Sequence, residues 1–309
     1  MSAQRRRQAV DFLKEDGVSE RRGCALIQMS RSHYQYEAEE KHDEGLVKKI
    51  KAIAAKHQRY GYRRVWALLR RKGEHVNLKR VHRLWRKEGL TLPQRRPRKR
   101  LRRGGSVPLW AQYPNHVWTY DFMQDATADG RMLKILTVVD EFTRECKAIA
   151  VERSMPAAKV LGVLEEAFAE GGRPEYLRSD NGPEFIAEAI QRWLASRGTR
   201  PHYIAPASPW QNAYGESFND KLRSECLNME VFDTLVQAKV ILGAWRREYN
   251  EARPHSSLGY LTPTEYRERW AKELSLSPAP RSLRSLSGAG GRKGKLLLNG
   301  VAILQPAQD

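Results

Sequence analysis

Ten residues in the first third of the chain, Gln94 to Arg103, carry seven Lys or Arg and one proline. Cations at that density repel one another, and no interior tolerates them unpaired, so the segment stays extended and outside any core. The chain must therefore build separate packed bodies on either side of it. Residues 1–105 hold 30 Lys+Arg against 11 Asp+Glu, whereas residues 106–309 hold 25 against 25, so the formal excess of +19 lies entirely in the first third. A basic third joined to a neutral remainder reads as a polyanion-binding region attached to a domain with a different task. A merely solubilising surface would spread the excess along the whole chain.

The basic third has helical rhythm. Ser19 can cap a helix through Leu26, and a turn around Gln28-Met29 leads to a second helix opened by Ser30, which is a helix-turn-helix spacing that any small helical hairpin would also give. Residues 43–89 are better marked. Asp43 caps a helix carrying Leu46, Ile50 and Ile53; a second follows Gly61 with Val65, Leu68 and Leu69 inward and stops at Gly73. Asn77 caps a third, in which Leu78, Val81, Leu84 and Trp85 recur at helical spacing while Lys79, Arg80, Arg83, Arg86 and Lys87 take the remaining surface. An apolar stripe backed by five cations suits a major-groove recognition helix. Surface Lys and Arg commonly do no more than solvate a helix. Here the excess is one-signed, and the next segment, with Arg95, Arg96, Arg98, Lys99 and Arg100, is more basic still and suited to tracking phosphates.

From about Trp110 the period changes. Val117, Thr119 and Asp121 alternate with Trp118, Tyr120 and Phe122, which makes a strand with Asp121 opposite the aromatics. Turns at Ala128-Asp129-Gly130 and near Asp140-Glu141 add strands at Leu133–Val139 and Lys147–Val151, an antiparallel meander. A helix started by Ser154 and Pro156, a strand carrying Asp180, a helix from about Ile186 to Arg197 and a strand Pro201–Ile204 follow. The pattern is an α/β domain. A helix from about Gln211 to Asn228 has Phe218, Leu222 and Cys226 on its docking side, which leaves Glu216, Asn219, Asp220 and Arg223 on another face. Asp233 opens a further helix, and Thr262-Pro263-Thr264-Glu265 is a capping box for a last one. Residues 275–309 are Ser/Pro/Gly-rich and expected to be a flexible tail.

Asp121, Asp180 and Glu216 are the candidates for chemistry, with thirty-five residues between the last two. Singly, each has an ordinary explanation: a strand-end surface residue, a turn former before Asn181-Gly182-Pro183, a favourable charge near a helix N-terminus. Together, three carboxylates cannot all stay ionised without a counter-charge. Mg²⁺ takes oxygen ligands, and two such ions about 3.5–4 Å apart can hold the attacking and leaving oxygens of an in-line phosphoryl displacement, so the trio reads as a two-metal site. Asp125, Asp140 and Glu184 read as turn or rim residues. Lys221 and Arg223 are candidates for holding DNA phosphates, and His255 reads as structural.

The stretches Trp118-Thr119-Tyr120-Asp121-Phe122, Arg178-Ser179-Asp180-Asn181-Gly182-Pro183-Glu184-Phe185 and Ser208 to Glu225, with that spacer, resemble the catalytic core of retroviral integrases and of bacterial transposases, specifically the second-reading-frame products of the insertion-sequence three family. Tyr249-Asn250 with Arg253-Pro254-His255-Ser256-Ser257-Leu258-Gly259-Tyr260-Leu261-Thr262-Pro263 extends the likeness, which spans roughly residues 5 to 270. The resemblance implies a ribonuclease-H-like core, a mixed five-stranded sheet with flanking helices, preceded by an all-α helix-turn-helix region. It implies Asp121, Asp180 and Glu216 as catalytic and metal-binding residues with Mg²⁺ or Mn²⁺, two ions per site. It further implies cutting and joining of double-stranded DNA at terminal inverted repeats and in a target, a homo-oligomer in the synaptic complex, and work as a fusion with the first reading frame's product. The mobile active-site loop of integrases would correspond to 205–215. The paired His and Cys zinc ligands of a retroviral integrase are absent.

The domains expected are a helical segment at 1–40, a helix-turn-helix-like DNA-binding domain at 41–92, a basic linker at 93–109, an integrase-type core with C-terminal helices at 110–272 and the tail at 273–309. Cys24, Cys146 and Cys226 are far apart with no CxxC, so neither a disulfide framework nor a zinc site is indicated. No apolar run approaches the ~20 residues of a membrane span, and Arg5-Arg6-Arg7 leads to Gln8 and Asp11 instead of an apolar signal segment, so a cytoplasmic, nucleoid-associated chain is expected. A non-catalytic DNA-binding regulator and a nuclease that cuts but never joins are the rival functions.

Overall fold

The computed structural model describes residues 2–36, 43–93, 109–180, 188–204 and 212–276. The chain divides into two compact units, Met1–Lys48 and Lys49–Asp309. In the first, α1 (Ala3–Glu15), α2 (Glu20–Leu26) and α3 (Arg31–Tyr34) pack around Val10, Cys24 and Met29. Arg7 donates to the carbonyls of His33 and Tyr36, tying the ends together.

The second unit contains the next helix from Lys49 onward, the remaining helices and the sheet. α4 (Glu44–Lys56) contributes Ile50 and Ile53 to it, α5 (Tyr62–Arg71) buries Val65, Ala67 and Leu69, and α6 (Leu78–Lys87) buries Val81, Leu84 and Trp85. Asn77 accepts from the Lys79 N–H at 2.8 Å, so the cap read from sequence fixes where α6 begins. With its apolar stripe turned inward, α6 leaves Lys79, Arg80, Arg83, Arg86 and Lys87 exposed.

The sheet has strands β1 (Val117–Ala126), β2 (Met132–Asp140), β3 (Cys146–Glu152), β4 (Tyr176–Ser179) and β5 (Arg200–Tyr203) in the order β3-β2-β1-β4-β5. β1, β2 and β3 pair antiparallel, while β4 and β5 run parallel to β1. Helices cover both faces. On one, α7 (Ala157–Gly171) and α8 (Glu188–Ser196) pack Val160, Leu164, Ile190 and Leu194 against Trp118, Tyr120, Leu136 and Val138. On the other, α9 (Ala213–Leu222) and α10 (Leu235–Glu251) bring Phe218, Leu222, Leu242 and Tyr249 against Met123, Leu133, Ile135 and Val139. This mixed sheet with helices on both sides is the ribonuclease-H-like plan. A last helix, α11 (Pro263–Leu276), opens on a reciprocal cap: Glu265 N–H to Thr262 Oγ1 at 3.2 Å and Thr262 N–H to Glu265 Oε2 at 2.8 Å.

Several boundaries differ from the sequence reading. β1 continues past Phe122 to Ala126, because its polar residues Gln124 and Asp125 still pair in register with Lys134 and Leu133. α9 begins at Ala213, and after Leu222 it widens into a π-helical turn, Arg223–Leu227, where Cys226 and the adjacent Leu227 are both buried. α10 is capped by Thr234, which accepts from the Gln237 N–H, and not by Asp233. The tail beyond 276, the turn and helix start at 181–187 and the loop at 205–211 lie outside the described residues, as do Glu184, Arg95, Arg96, Arg98, Lys99 and Arg100.

Candidate active site

β1 supplies the first carboxylate. Its alternation sends Trp118, Tyr120 and Phe122 to the α7/α8 side and Asp121 to the side that Met123 shares with Phe218 of α9. Asp121 is therefore a mid-strand residue under the edge of α9, half-buried. The second carboxylate comes from the neighbouring parallel strand. β4 registers Thr119 opposite Arg178, and continuing that register two residues sets Asp180 beside Asp121, at the exposed end of β4. Adjacent strands lie about 4.8 Å apart. The third, Glu216, sits in the first turn of α9, half-buried.

Both other carboxylates are felt at Asp121. Burial pushes the Asp121 carboxyl up to about 6, and the charges of Asp180 and Glu216 push in the same direction, against the Phe122 N–H and Asn219, which favour the ionised form. Among the described residues, which include Asp121, Asp180 and Glu216, no three His, Cys, Asp or Glu side chains are close enough together as they stand to hold a metal ion. Asp121 feels the negative charge of both Asp180 and Glu216, and all three side chains offer hard oxygen donors. A divalent cation would relieve that charge, and the donor set fits Mg²⁺ or Mn²⁺.

α9 is fixed against β1 at two points. Asn212, buried just before the helix, accepts from Thr119 Oγ1 at 2.6 Å. Its closeness requires glycine at 215, since a Cβ there would lie 2.7 Å from Asn212 Oδ1. One turn after Glu216, Asn219 donates to Asp121 Oδ2 at 2.8 Å and accepts from Thr137 Oγ1 at 3.1 Å. Asp121 Oδ1 accepts from the Phe122 N–H at 2.8 Å. The carboxylate is thus oriented by both neighbours before any ligand arrives. Helical spacing sets Asn219 on the same face as Glu216 at i, i+3, but nothing in the spacing discloses its bond to Asp121. Asn219→Ala is expected to weaken divalent-ion binding about 10- to 100-fold, as loss of a ligand-orienting partner does, measured by Mn²⁺ titration.

The two cations expected near the acidic site have other engagements. Arg223 is exposed and donates to the Gln124 carbonyl at 3.0 Å, which ties the π-helical turn to β1 beyond Asp121. The Lys221 ammonium folds back along its own helix onto the Ser217 carbonyl at 2.8 Å, and burial with the nearby charges of Arg253 and Arg64 pushes its pKa down to about 7. Beside the first turn of α9, the Arg144 guanidinium stacks 3.7 Å from the Tyr214 ring centroid.

Other acidic and imidazole groups have structural surroundings. Asp140, read as a turn or rim residue, is fully buried: it accepts from the N–H groups of Asn115, Phe142 and Thr143 and organises the β2–β3 turn. Asp125 accepts from the Ala126 N–H. His255 is buried edge-on to Tyr249, and burial together with Arg253 pushes its pKa well below the usual value, so it stays neutral. Another carboxylate, Glu225, half-buried, takes a bidentate fork from Arg253 at 2.6 Å on each arm. Burial alone would raise its pKa, but Arg253 and Arg64 hold it below the usual range.

The chain is similar to several known proteins. The Integrase core domain family matches residues 111–209 and, in a second segment, 197–263, and an HTH-like domain matches residues 41–98. An "Insertion element IS407 uncharacterized 31.7 kDa protein" of Burkholderia multivorans is 41% identical over 87% of this chain and 96% of its own length. An "Insertion element IS476 uncharacterized 39.2 kDa protein" of Xanthomonas euvesicatoria is 38% identical over 91% of this chain and 82% of its own length. "Transposase InsD" of the Escherichia coli insertion element IS2 is 31% identical over 70% of this chain and 76% of its own length. Among solved structures, the catalytic core domain of HTLV-2 integrase in complex with magnesium aligns with a TM-score of 0.39 at 17% identity, over 50% of this chain and 97% of that one. The chain belongs to the insertion-element transposases of the insertion-sequence three type, with an integrase core preceded by a helix-turn-helix-like region.

Proposed function

We propose that the protein cuts the ends of its insertion element and joins the exposed 3′-hydroxyl to DNA, with Asp121, Asp180 and Glu216 as the catalytic and metal-binding residues. The observation that carries this reading is the placement of three carboxylates on two adjacent strands and the first turn of the helix beside them, with Asp121 pre-oriented by Asn219 and the Phe122 N–H. Two Mg²⁺ or Mn²⁺ ions, when bound there, would supply the charge neutralisation and Lewis acidity that an in-line phosphoryl displacement needs. Asp121, held by the Phe122 N–H and Asn219, fixes the centre of the site. Asp180, just past the end of β4, and Glu216, in the first turn of α9, would supply the other oxygens. Cutting by water and joining by a 3′-hydroxyl are both phosphoryl transfers, so one set of side chains serves both. His255 takes no part, being buried and neutral.

The duplex is proposed to be gripped by Lys79, Arg80, Arg83, Arg86 and Lys87, all exposed on the outer side of α6, where Lys79, Arg83, Arg86 and Lys87 line a shallow hollow with His82. The basic run containing Arg95, Arg96, Arg98, Lys99 and Arg100 would add phosphate contacts without reading sequence. Lys221 and Arg223 would join the phosphate grip only by leaving their present partners. The terminal inverted repeats and a target duplex are the proposed DNA partners, in a synaptic homo-oligomer in the bacterial cytoplasm, with the first-frame product as a fusion partner. Among the described residues, no helix is long and apolar enough to cross a membrane.

Strand joining of a labelled 3′-OH element end by the purified protein with Mg²⁺ tests the reaction; cutting with no joined product would favour the nuclease. Changing Arg80, Arg83 and Arg86 together to Ala is expected to weaken element-end binding at least about tenfold and to lower the salt slope by about 2–3, as three lost phosphate contacts do. A mobility shift across a salt series reads both.

A further inference from the structure

We propose that Arg64, in the helix-turn-helix-like region, is a positioning residue for the helix that carries Glu216: by sharing Glu225 with Arg253 it links the seating of the DNA-binding helices to the geometry of the acidic site. The inference rests on the transposase reading and extends it. Glu216 and Glu225 lie on one continuous helical run, α9 and its π-helical turn, nine residues apart. At 1.5 Å per residue that is a rod of about 13 Å. Its first half is pinned to β1 through Asn212 and Asn219; its second half is pinned through Glu225.

Glu225 has more positive charge than it needs. Arg253, 2% exposed, already neutralises it with a two-armed fork. Arg64 of α5 adds a third bond, Nη1 to Glu225 Oε1 at 3.1 Å, and stacks 5.2 Å from the Tyr60 ring centroid. A second cation on a paired carboxylate is not required for charge balance. What it does is fasten α5, against which α6 packs, to the turn ending the Glu216 helix.

The other contacts of that joint among the described residues include polar and edge-on ones. His57 pairs with Glu248 at 3.2 Å, Arg71 with Glu265 and with the Tyr260 carbonyl at 3.1 Å, and Trp66 meets the Tyr260 ring edge at 5.8 Å. The Glu248 and Glu265 side chains are 43% and 44% exposed, against 9% for Glu225. A cavity of about 300 Å³ lined by Tyr60, Glu225, Trp245, Tyr249 and Arg253 lies within it. A joint made this way, around a hollow instead of a continuous apolar core, can part and reseat, and Arg64–Glu225 is its most buried ion pair. Displacement of α5 when DNA loads α6 would then be felt as a tilt of α9, and with it of Glu216 and Asn219.

The test uses the full chain with Arg64→Gln and Arg64→Lys, a labelled duplex bearing an element end, and Mg²⁺. Binding is read by mobility shift, and cutting by single-turnover rate with protein in excess. Arg64→Gln is expected to bind the end within about twofold of the unaltered protein but to cut it at least tenfold more slowly, and Arg64→Lys to recover most of the rate. An unchanged cutting rate in Arg64→Gln overturns the proposal. So does a loss of affinity that accounts for the lost rate, which would make Arg64 a DNA contact, and so does unfolding of both variants, which would make it a stabilising residue only. If the unaltered protein does not cut element ends, the transposase reading itself has failed, and that is visible before any variant is compared.

Discussion

Asp180→Asn is expected to reduce both cutting and joining of element ends by at least about 10³-fold while leaving duplex binding intact. The substitution keeps the shape of the side chain and removes its charge. Asp180 sits exposed just past the end of β4, so the fold has little to lose. The site loses one of the three charges that would hold the cations, and the remaining pair cannot substitute for it because each is committed to a different edge: Asp121 to Asn219 and the Phe122 N–H, Glu216 to its helix. The DNA grip proposed for α6 involves none of these residues. The measurement is a gel assay of a labelled element end with Mg²⁺, alongside a mobility shift. Unchanged activity in Asp180→Asn would leave the three carboxylates idle and favour a DNA-binding regulator.

Glu225→Gln should destabilise the fold by about 3–5 kcal/mol, because it leaves Arg253 buried with an uncompensated charge. Urea unfolding at pH 7 reads this directly. Replacing Glu225→Leu with Arg253→Met should recover part of the loss, since it removes the buried Arg253 charge along with its partner, while Arg64 still loses its carboxylate. The pH dependence has a definite sign. Burial opposes ionisation of Glu225, but Arg253 and Arg64 outweigh it and hold the folded pKa below the unfolded one. Its contribution is therefore fully present above the unfolded carboxylate value of about 4.3 and is lost as pH falls through the lower folded value. Acid unfolding should show that loss in the unaltered protein and lack it in Glu225→Gln.

Much of this architecture is legible in the chain itself, because its signals are local. Asn77, Ser30 and the Thr262/Glu265 pair cap helices where their side chains reach backbone N–H groups two or three residues on, and nothing distant can overrule that. The alternation from Val117 to Phe122 places Asp121 on the α9 side because a strand offers only two faces. The same local logic fails where tertiary contacts decide. β1 extends through Gln124 and Asp125, polar residues that look like a strand end until β2 pairs with them. The i, i+4, i+8 row of Phe218, Leu222 and Cys226 continues smoothly through the π-helical turn, so the spacing does not disclose the extra residue. Asp140 resembles any turn aspartate, and its burial depends on Asn115, twenty-five positions earlier. The Arg64–Glu225 bond joins residues 161 positions apart and leaves no periodic trace.

The central physical claim is that Asp121, Asp180 and Glu216 act as one ligand set for divalent cations. Titration of the full chain, bound to an element-end duplex, with Mn²⁺ followed by electron paramagnetic resonance counts the bound ions directly. Two ions per site are predicted for the unaltered protein, with at least one lost in each of Asp121→Asn, Asp180→Asn and Glu216→Gln. The same ion count and affinity in all four proteins would contradict the account.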